Sequence, residues 1–194
     1  RRIVKRLLDT VRQPTQQMQV LGAAQLVRAA VLLIHRQLPP DLFLHIENIS
    51  DGKLLVDRDR MQQVFINLIR NAARAGAKNI WVTGEETTWG ESRPENTNNC
   101  AGDAAGISRF KNVMLMRIDD DGPGIPPDHL TKIFDPFFTT QSGGEGTGLG
   151  LYLVEEIVNE HRGCIAVENR PEGGARFSIW LPLEQTSQPE QEAS

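Results

Sequence analysis

Several classes of protein are excluded by what this chain has little of. Its 194 residues include two cysteines, Cys100 and Cys164, whose separation fits neither a disulfide framework nor a zinc site. No apolar run approaches the roughly 20 residues that span a bilayer, and no signal peptide is recognisable. Lys and Arg number 21 against 25 Asp and Glu, so a surface for nucleic acid or anionic membrane is not predicted. We therefore expect a cytoplasmic domain in a reducing setting, with no nucleic-acid partner and no direct membrane contact.

The chain also lacks an initiator Met and starts inside a helical pattern. An apolar stripe at helical spacing comprises Ile3, Val4, Leu7, Leu8 and Val11. Pro14 ends this pattern, and so short a helix has little to pack against on its own. We interpret residues 1–14 as the tail of a helical bundle and the chain as a fragment of a longer protein, whose membrane topology stays open. The alternative is a plain terminal helix packed on the domain.

A glycine-rich stretch from Gly143 to Leu151 opens an apolar-periodic helix over Tyr152–His161. Glycines let several backbone N–H groups converge on one anion, and the helix that follows presents its positive end to that anion. The pattern predicts a polyphosphate site. No Gly-Lys-Ser/Thr follows, and the glycine spacing differs from that of a dinucleotide fingerprint. The alternative is a flexible loop that caps an ordinary helix.

The clearest helix is predicted over Asp59–Gly76. Its apolar face comprises Met61, Val64, Phe65, Leu68, Ile69 and Ala72. A separate polar stripe on the same helix comprises Gln63, Asn67, Asn71 and Arg74. Asparagine is a poor helix former, so two of them one turn apart indicate a ligand or a metal. A solvated face or backbone-capping amides are the alternative.

Asp119 to Gly124 follows the predicted strand Asn112–Ile118. A buried carboxylate at a strand end can accept a hydrogen bond from an exocyclic amine such as that of adenine, while nearby glycines let the ring approach the backbone. A carboxylate without a donor is penalised, so such a site would reject guanine. An acidic turn or a cation site is the alternative.

The remaining pattern favours an α/β sandwich with a mixed sheet. We predict a polar link over Thr15–Gln19 and helices over Val20–Leu38 and Pro126–Ile133. Glu85–Lys111 is predicted to be a long mobile loop or a family-specific insertion. Gly163 is expected to cap the last helix, and residues from Glu184 to be disordered. The further strands are predicted at Leu42–Ile49 and Lys53–Val56, joined around Asp51-Gly52, at Asn79–Thr83, and in a hairpin of Ile165–Glu168 and Ala175–Leu181.

Four segments together resemble the ATP-binding catalytic domain of sensor histidine kinases, in the superfamily shared with gyrase, Hsp90 and MutL ATPases. The segments are similar, in family order, to the N box (residues 63–72), the G1 box (120–125), the F box (134–138) and the G2 box (146–151). The resemblance implies a Bergerat-type two-layer α/β sandwich, a mixed sheet on about three helices. The implied organisation is a remnant of the phosphoacceptor bundle at 1–14, the catalytic domain at 15–184 and a tail at 185–194.

The resemblance also implies the cofactors ATP and Mg²⁺ and a set of site residues. Asp120 would accept the adenine amino group, Asn71 would ligate Mg²⁺ through its side-chain oxygen, and Asn67 would lie near the phosphates. Residues 134–144 would form a mobile lid. The remaining implied ATP-binding residues are Arg74, Gly122, Gly124, Ile125, Phe134, Phe137, Thr139, Gly146, Thr147, Gly148, Leu149 and Gly150.

Asn67 separates the branches of this superfamily. Its ATPases carry a Glu there as general base for water, and Asn cannot take that role near neutral pH. Transfer to a histidine needs mainly positioning and charge neutralisation, so catalysis by Asn67 and Asn71 favours phosphoryl transfer over hydrolysis. None of His35, His45, His129 and His161 lies in the family's acceptor pattern, so we interpret each as structural or surface.

The acceptor histidine is therefore expected upstream of Arg1, in a bundle of the same protein or of its dimer mate. A response regulator receiver domain is the implied final partner. Two other functions stay open: a nucleotide-binding interaction module without transfer activity, and an ATPase of the superfamily.

Overall fold

A computed structural model describes residues 17–94, 100–102, 104–140 and 147–184. The predictions for residues 1–14, for the tail from 185, for Gln141–Gly144 and for Gly146 lie outside the described residues. No helix in the described ranges is long and apolar enough to cross a membrane. The elements are β1 Met18–Gly22, α1 Ala23–Ile34, a 3₁₀ turn His35–Gln37, β2 Phe43–Ile49, β3 Lys53–Asp57, α2 Arg58–Arg74, β4 Asn79–Thr88, α3 Trp89–Ser92, β5 Cys100–Gly102, α4 Ala104–Ile107, β6 Asn112–Asp120, α5 Gly150–Glu160, β7 Cys164–Asn169 and β8 Ala175–Pro182.

The main sheet is mixed and has the strand order β2-β4-β6-β8-β7-β5. β2 runs parallel to β4, and the other neighbouring pairs are antiparallel. One apolar core joins this sheet to the three long helices, as shown by the buried residues Leu26, Phe65, Leu68, Val158 and Ile179. The predicted two-layer sandwich of a mixed sheet on three helices is therefore confirmed.

Helix α2 forms as its sequence predicts. Asp57 caps its N-terminus, because the Asp57 carboxylate accepts a hydrogen bond of 3.1 Å from the backbone N–H of Arg60. The predicted apolar face is buried along its whole length. Gly76 follows the last turn with φ +90°, a conformation that glycine adopts without strain. The opposite, polar stripe of α2 is thereby fixed toward the ligand side of the domain.

The prediction of a helix over Val20–Leu38 is wrong at both ends. Residues Met18–Gly22 form β1, which pairs antiparallel with β3 in a separate two-stranded sheet, so the predicted polar link also overlaps a strand. The helix proper ends at Ile34. The predicted strands at Leu42–Ile49 and Lys53–Val56 exist, but they belong to different sheets and are not paired with each other. The sheet to which each of these strands belongs depends on pairing with strands distant in the sequence, and a local sequence pattern does not indicate that pairing.

The prediction of a long mobile loop over Glu85–Lys111 is also wrong for the residues that the structure describes there. β4 continues to Thr88, and α3, β5 and α4 follow. This insertion covers part of the second face of the sheet with a smaller apolar core of Ile107, Val113, Leu115, Cys164, Ala166 and Trp180, against which Trp89 and Phe110 pack. Trp180 Nε1 donates to Ser92 Oγ at 3.1 Å. The segment was predicted to be a loop because most of its residues are polar, although Trp89 and Phe110 pack against this core.

Two smaller predictions also need correction. Residues 126–133 form successive tight turns rather than a regular helix, with bonds such as Lys132 N–H to His129 C=O at 2.7 Å. At the end of α5 the left-handed residue is Arg162, with φ 58°, and not Gly163. Gly163 serves close packing instead, because an added Cβ would lie 2.6 Å from the Trp180 carbonyl oxygen. The predicted hairpin of β7 and β8 is confirmed.

Candidate nucleotide-binding site

A cavity of about 1020 Å³ lies between α2, the loop after β6 and the start of α5. This volume suits a ligand of nucleotide size. The structure brings ten of the predicted site residues together on its wall: Asn67, Asn71, Arg74, Asp120, Gly124, Ile125, Thr139, Thr147, Gly148 and Gly150.

Asp120 lies at the end of β6 and is 6% exposed. Its Oδ1 accepts hydrogen bonds from the backbone N–H groups of Gly122 at 2.9 Å and Ala175 at 3.2 Å. Burial raises the pKa of the Asp120 carboxyl above its ordinary value, against the lowering effect of these two bonds. Both bonds go to the same oxygen, so Oδ2 carries none within the described residues. A buried carboxylate with an open acceptor oxygen is the group expected to select a ligand amine.

Two glycines let the backbone close around Asp120. A Cβ on Gly122 would lie 2.9 Å from Asp120 Oδ1, and one on Gly174 would lie 1.8 Å from the Asp120 carbonyl oxygen. Gly122 is not on the cavity wall. Gly122 therefore supports the site indirectly, because its backbone N–H donates to the Asp120 carboxylate, and Asp120 lines the cavity.

Asn169, at the end of β7, is a wall residue that sequence reasoning missed. Its amide clasps the backbone of Ile125 twice: Oδ1 accepts from Ile125 N–H at 2.8 Å, and Nδ2 donates to Ile125 C=O at 2.7 Å. Gly124, with φ +76°, makes this close contact possible, because a Cβ there would lie 2.9 Å from Asn169 Oδ1. This clasp fixes the irregular segment beside Asp120. The sequence signal that could have indicated Asn169 is its place at the end of the first strand of the predicted hairpin, whose second strand, β8, pairs with β6.

The polar stripe of α2 supplies another part of the cavity wall. Asn67 Nδ2 donates to the carbonyl of Gly150 at 3.5 Å, which links α2 to the first turn of α5. Asn71 and Arg74 lie on the cavity wall, as predicted. Arg70 also lines it, although sequence reasoning assigned it no role. Its guanidinium donates to Gln37 Oε1 at 2.9 Å. Two arginines and two amides on one helix face suit a polyanion.

The glycine-rich stretch reaches the cavity through Thr147, Gly148 and Gly150. Gly148 has φ +64°, and a Cβ there would lie 2.4 Å from the carbonyl carbon of Phe137. Phe137 N–H donates to the Gly148 carbonyl at 2.9 Å. Gly148 is therefore required for close backbone contact with the predicted lid. Leu149 precedes α5 as its N-cap and does not line the cavity.

The aromatic residues of the predicted lid are distributed differently from the expectation. Phe134 is buried in the main core at 5% exposure, and the ring of Phe137 is 60% exposed; neither lines the cavity. The wall residue is Phe138, whose ring meets His129 edge-on at 5.2 Å. His129 also lines the cavity, whereas His161 is 4% exposed and bonded to backbone through both ring nitrogens. The F-box pattern does not show which of its phenylalanines is buried, and Phe134 is the one that packs in the core.

The residues present fit a magnesium ion that is shared with a ligand. The described residues hold no group of three His, Cys, Asp or Glu side chains that could hold a metal by themselves. Mg²⁺ takes hard oxygen ligands and commonly binds through one or two protein groups, substrate phosphates and water. Asn71, on the cavity wall, offers such an oxygen. A metal at this site would depend on the phosphates of the nucleotide.

Comparison with known proteins gives the class first. Residues 56–185 match the family described as histidine kinase-, DNA gyrase B-, and HSP90-like ATPase. This match covers more than half of the chain, so the chain belongs to that family.

Individual relatives of the chain include sensor histidine kinases. Sensor histidine kinase ZraS of Salmonella typhi is 30% identical over 184 residues, which are 94% of this chain and 35% of that protein. ZraS of Escherichia coli O157:H7 is 32% identical over 186 residues, with the same shares. The chain thus spans about a third of the length of these relatives.

Solved structures agree with these relatives. The catalytic domain of histidine kinase ThkA has a TM-score of 0.62 at 28% identity, covering 86% of this chain and 96% of that one. ThkA in complex with response regulator protein TrrA gives a TM-score of 0.63 at 26% identity, covering 96% and 48%. The chain is therefore homologous to the ATP-binding catalytic domains of sensor histidine kinases.

Proposed function

We propose that this domain binds Mg-ATP and transfers the γ-phosphoryl group to a histidine on a helical bundle upstream in the same protein or in its dimer mate. The phosphoryl group would then pass to an aspartate of a response regulator receiver domain. The observation that carries the proposal is that buried Asp120 lines the same cavity as Asn67 and Asn71. Relatives named sensor histidine kinases, and a solved relative in complex with a response regulator protein, support it.

Two groups of cavity residues have separate tasks in this proposal. Asp120 recognises the base through the amine. Asn67, Asn71, Arg70 and Arg74 hold the triphosphate, and the first turn of α5 presents backbone N–H groups to it. Mg²⁺, when bound, supplies charge neutralisation at the phosphates. Asn67 takes no proton from water, so the site positions the phosphoryl group for a nucleophile that arrives with its own lone pair.

Calorimetry with Mg-ATP and Mg-GTP tests the proposal directly. We expect ATP to bind and GTP to bind at least about 30-fold more weakly, because guanine presents a carbonyl where Asp120 requires a donor. Radiolabelled phosphate should not remain on this chain alone, but should be transferred to a longer chain that includes the upstream histidine. Failure of the folded chain to bind ATP would contradict the proposal. Steady-state phosphate release would favour the ATPase alternative instead.

Asn71→Ala should remove most of the Mg²⁺ dependence of ATP binding. Loss of one of the few protein oxygens available to the ion should lower the affinity in Mg²⁺ on the order of tenfold and change the affinity in EDTA little. Gln63→Ala is the matched control, because Gln63 lies on the same polar stripe but not on the cavity wall. An equal loss with and without Mg²⁺ would show that Asn71 acts on the nucleotide and not on the metal.

A further inference from the structure

Arg170 lies directly behind the carboxylate that faces the cavity. It is the first residue after β7, and its side chain is 16% exposed. One guanidinium nitrogen donates to the backbone carbonyl of Asp120 at 2.8 Å. Within the part of the chain that the structure describes, this is the one hydrogen bond of the guanidinium. Arg170 itself does not line the cavity, so it can reach a ligand only through Asp120.

The surroundings of Arg170 hold its guanidinium in place. Its Cζ lies 5.1 Å from the centre of the Trp81 ring, a cation–π distance. Its Nε lies 3.8 Å from Asp119 Oδ2, too far for a hydrogen bond. The Asp119 carboxylate is instead bound by both nitrogens of Arg176, at 2.8 and 2.6 Å. The exposed Glu172 lies 3.9 Å away. Arg170 thus lies within ion-pair distance of Asp119 and Glu172, while its hydrogen bond goes to the Asp120 carbonyl.

The ionisation of Asp120 is a balance to which Arg170 contributes. Burial is the largest influence and raises the pKa of the carboxyl. The backbone bonds from Gly122 and Ala175 lower it, the neighbouring charge of Asp121 raises it, and Arg170 lowers it. Only the ionised form offers an acceptor of full charge to an amine, and desolvation makes this form costly. A cation bonded to the backbone of the same residue offsets part of that cost.

We propose that Arg170 is a positioning residue of the base-recognition site: its bond to the Asp120 carbonyl fixes the backbone that carries the carboxylate facing the amine of adenine. The proposal rests on the proposed function, since it assumes that Asp120 meets the base. Trp81, which also stacks on His45 with ring centres 5.6 Å apart, keeps the guanidinium in position. A turn residue that does not line the cavity would thereby contribute to the strength of nucleotide binding.

Arg170→Met and Arg170→Lys test the two parts of this role. In the nucleotide-free protein, carboxyl NMR should show Asp120 titrating at higher pH in Arg170→Met than in wild type. Arg170→Lys keeps the charge and should titrate close to wild type. ATP affinity at neutral pH should fall about tenfold in Arg170→Met, and its acid limit should move to higher pH. Arg117→Met is the matched control, because Arg117 lies on β6 and pairs with Glu85 at 2.6 Å, away from Asp120.

The readouts separate this inference from the proposed function. If Arg170→Met leaves both the Asp120 titration and the ATP affinity unchanged, Arg170 merely braces the turn and the inference is wrong. If wild type binds no ATP, the proposed function fails, whereas the titration still decides the electrostatic part of the role. Should Arg170→Met not fold, Trp81→Leu gives a second test, with a smaller shift in the same direction expected. No shift of the Asp120 titration in Trp81→Leu relative to Arg117→Met would then overturn the inference.

Discussion

Asp120→Asn is expected to reduce ATP affinity roughly 100-fold, because the new amide nitrogen turns a donor toward the amine of adenine at the cost of about 3 kcal/mol. The fold should survive the change. Asn keeps an acceptor oxygen for the backbone N–H groups of Gly122 and Ala175. The ratio of ATP to ITP affinity should also fall, since the carbonyl of hypoxanthine can accept from the new amide. Titration calorimetry with both nucleotides measures these effects.

The stability of the same variant gives an independent check with a definite sign. Burial raises the pKa of Asp120 above 3.8, its ordinary value. The folded state therefore binds this proton more tightly than the unfolded state does, and Asp120 lowers the free energy of unfolding as pH rises from 3.8 through the raised value. Asp120→Asn removes that loss, so at neutral pH the variant should unfold at equal or higher denaturant concentration than wild type. A variant that unfolds at lower denaturant concentration than wild type would contradict this expectation, whereas a folded variant that still binds ATP as wild type does would contradict the assignment of Asp120 to the base.

The sequence predicted the parts of the site that lie in continuous patterns. Helix α2 has a regular apolar period, so its polar stripe could be located and Asn67, Asn71 and Arg74 expected on one wall. Asp120 was expected at the end of a strand, and β6 does end there. In both cases the information lies within about 20 consecutive residues, where helix and strand periods are visible.

The parts that escaped prediction depend on contacts between distant segments. Asn169 and Arg170 meet Ile125 and Asp120 across 44 and 50 positions of sequence, and Asn and Arg are ordinary residues in a turn. β1 forms through pairing with β3, from Met18 with Asp57 to Gly22 with Lys53. These elements are decided by tertiary pairing, which a local pattern cannot report.

Among glycine-to-alanine substitutions near the site, Gly174→Ala should cause the largest loss of folding stability. Gly174 is buried between β7 and β8 with φ +85°, and a Cβ would lie 1.8 Å from the carbonyl oxygen of Asp120. That atom belongs to backbone and cannot rotate away, so the turn must separate from the end of β6. The bond from Ala175 N–H to Asp120 would then be lost. We expect a cost of more than about 3 kcal/mol in denaturant unfolding, and weaker ATP binding by the protein that remains folded.

Gly173→Ala in the same turn distinguishes collision from backbone strain. Gly173 has φ +100°, yet a Cβ there would meet nothing within 4 Å. Its substitution should therefore cost only the strain of the left-handed conformation, about 1 kcal/mol, and should leave ATP affinity close to wild type. Equal losses of stability in the two variants would show that strain alone decides the turn. A larger loss in Gly174→Ala, accompanied by weaker ATP binding, would show that close contact between this turn and Asp120 holds the carboxylate in place, since the two variants differ mainly in what the added methyl group meets.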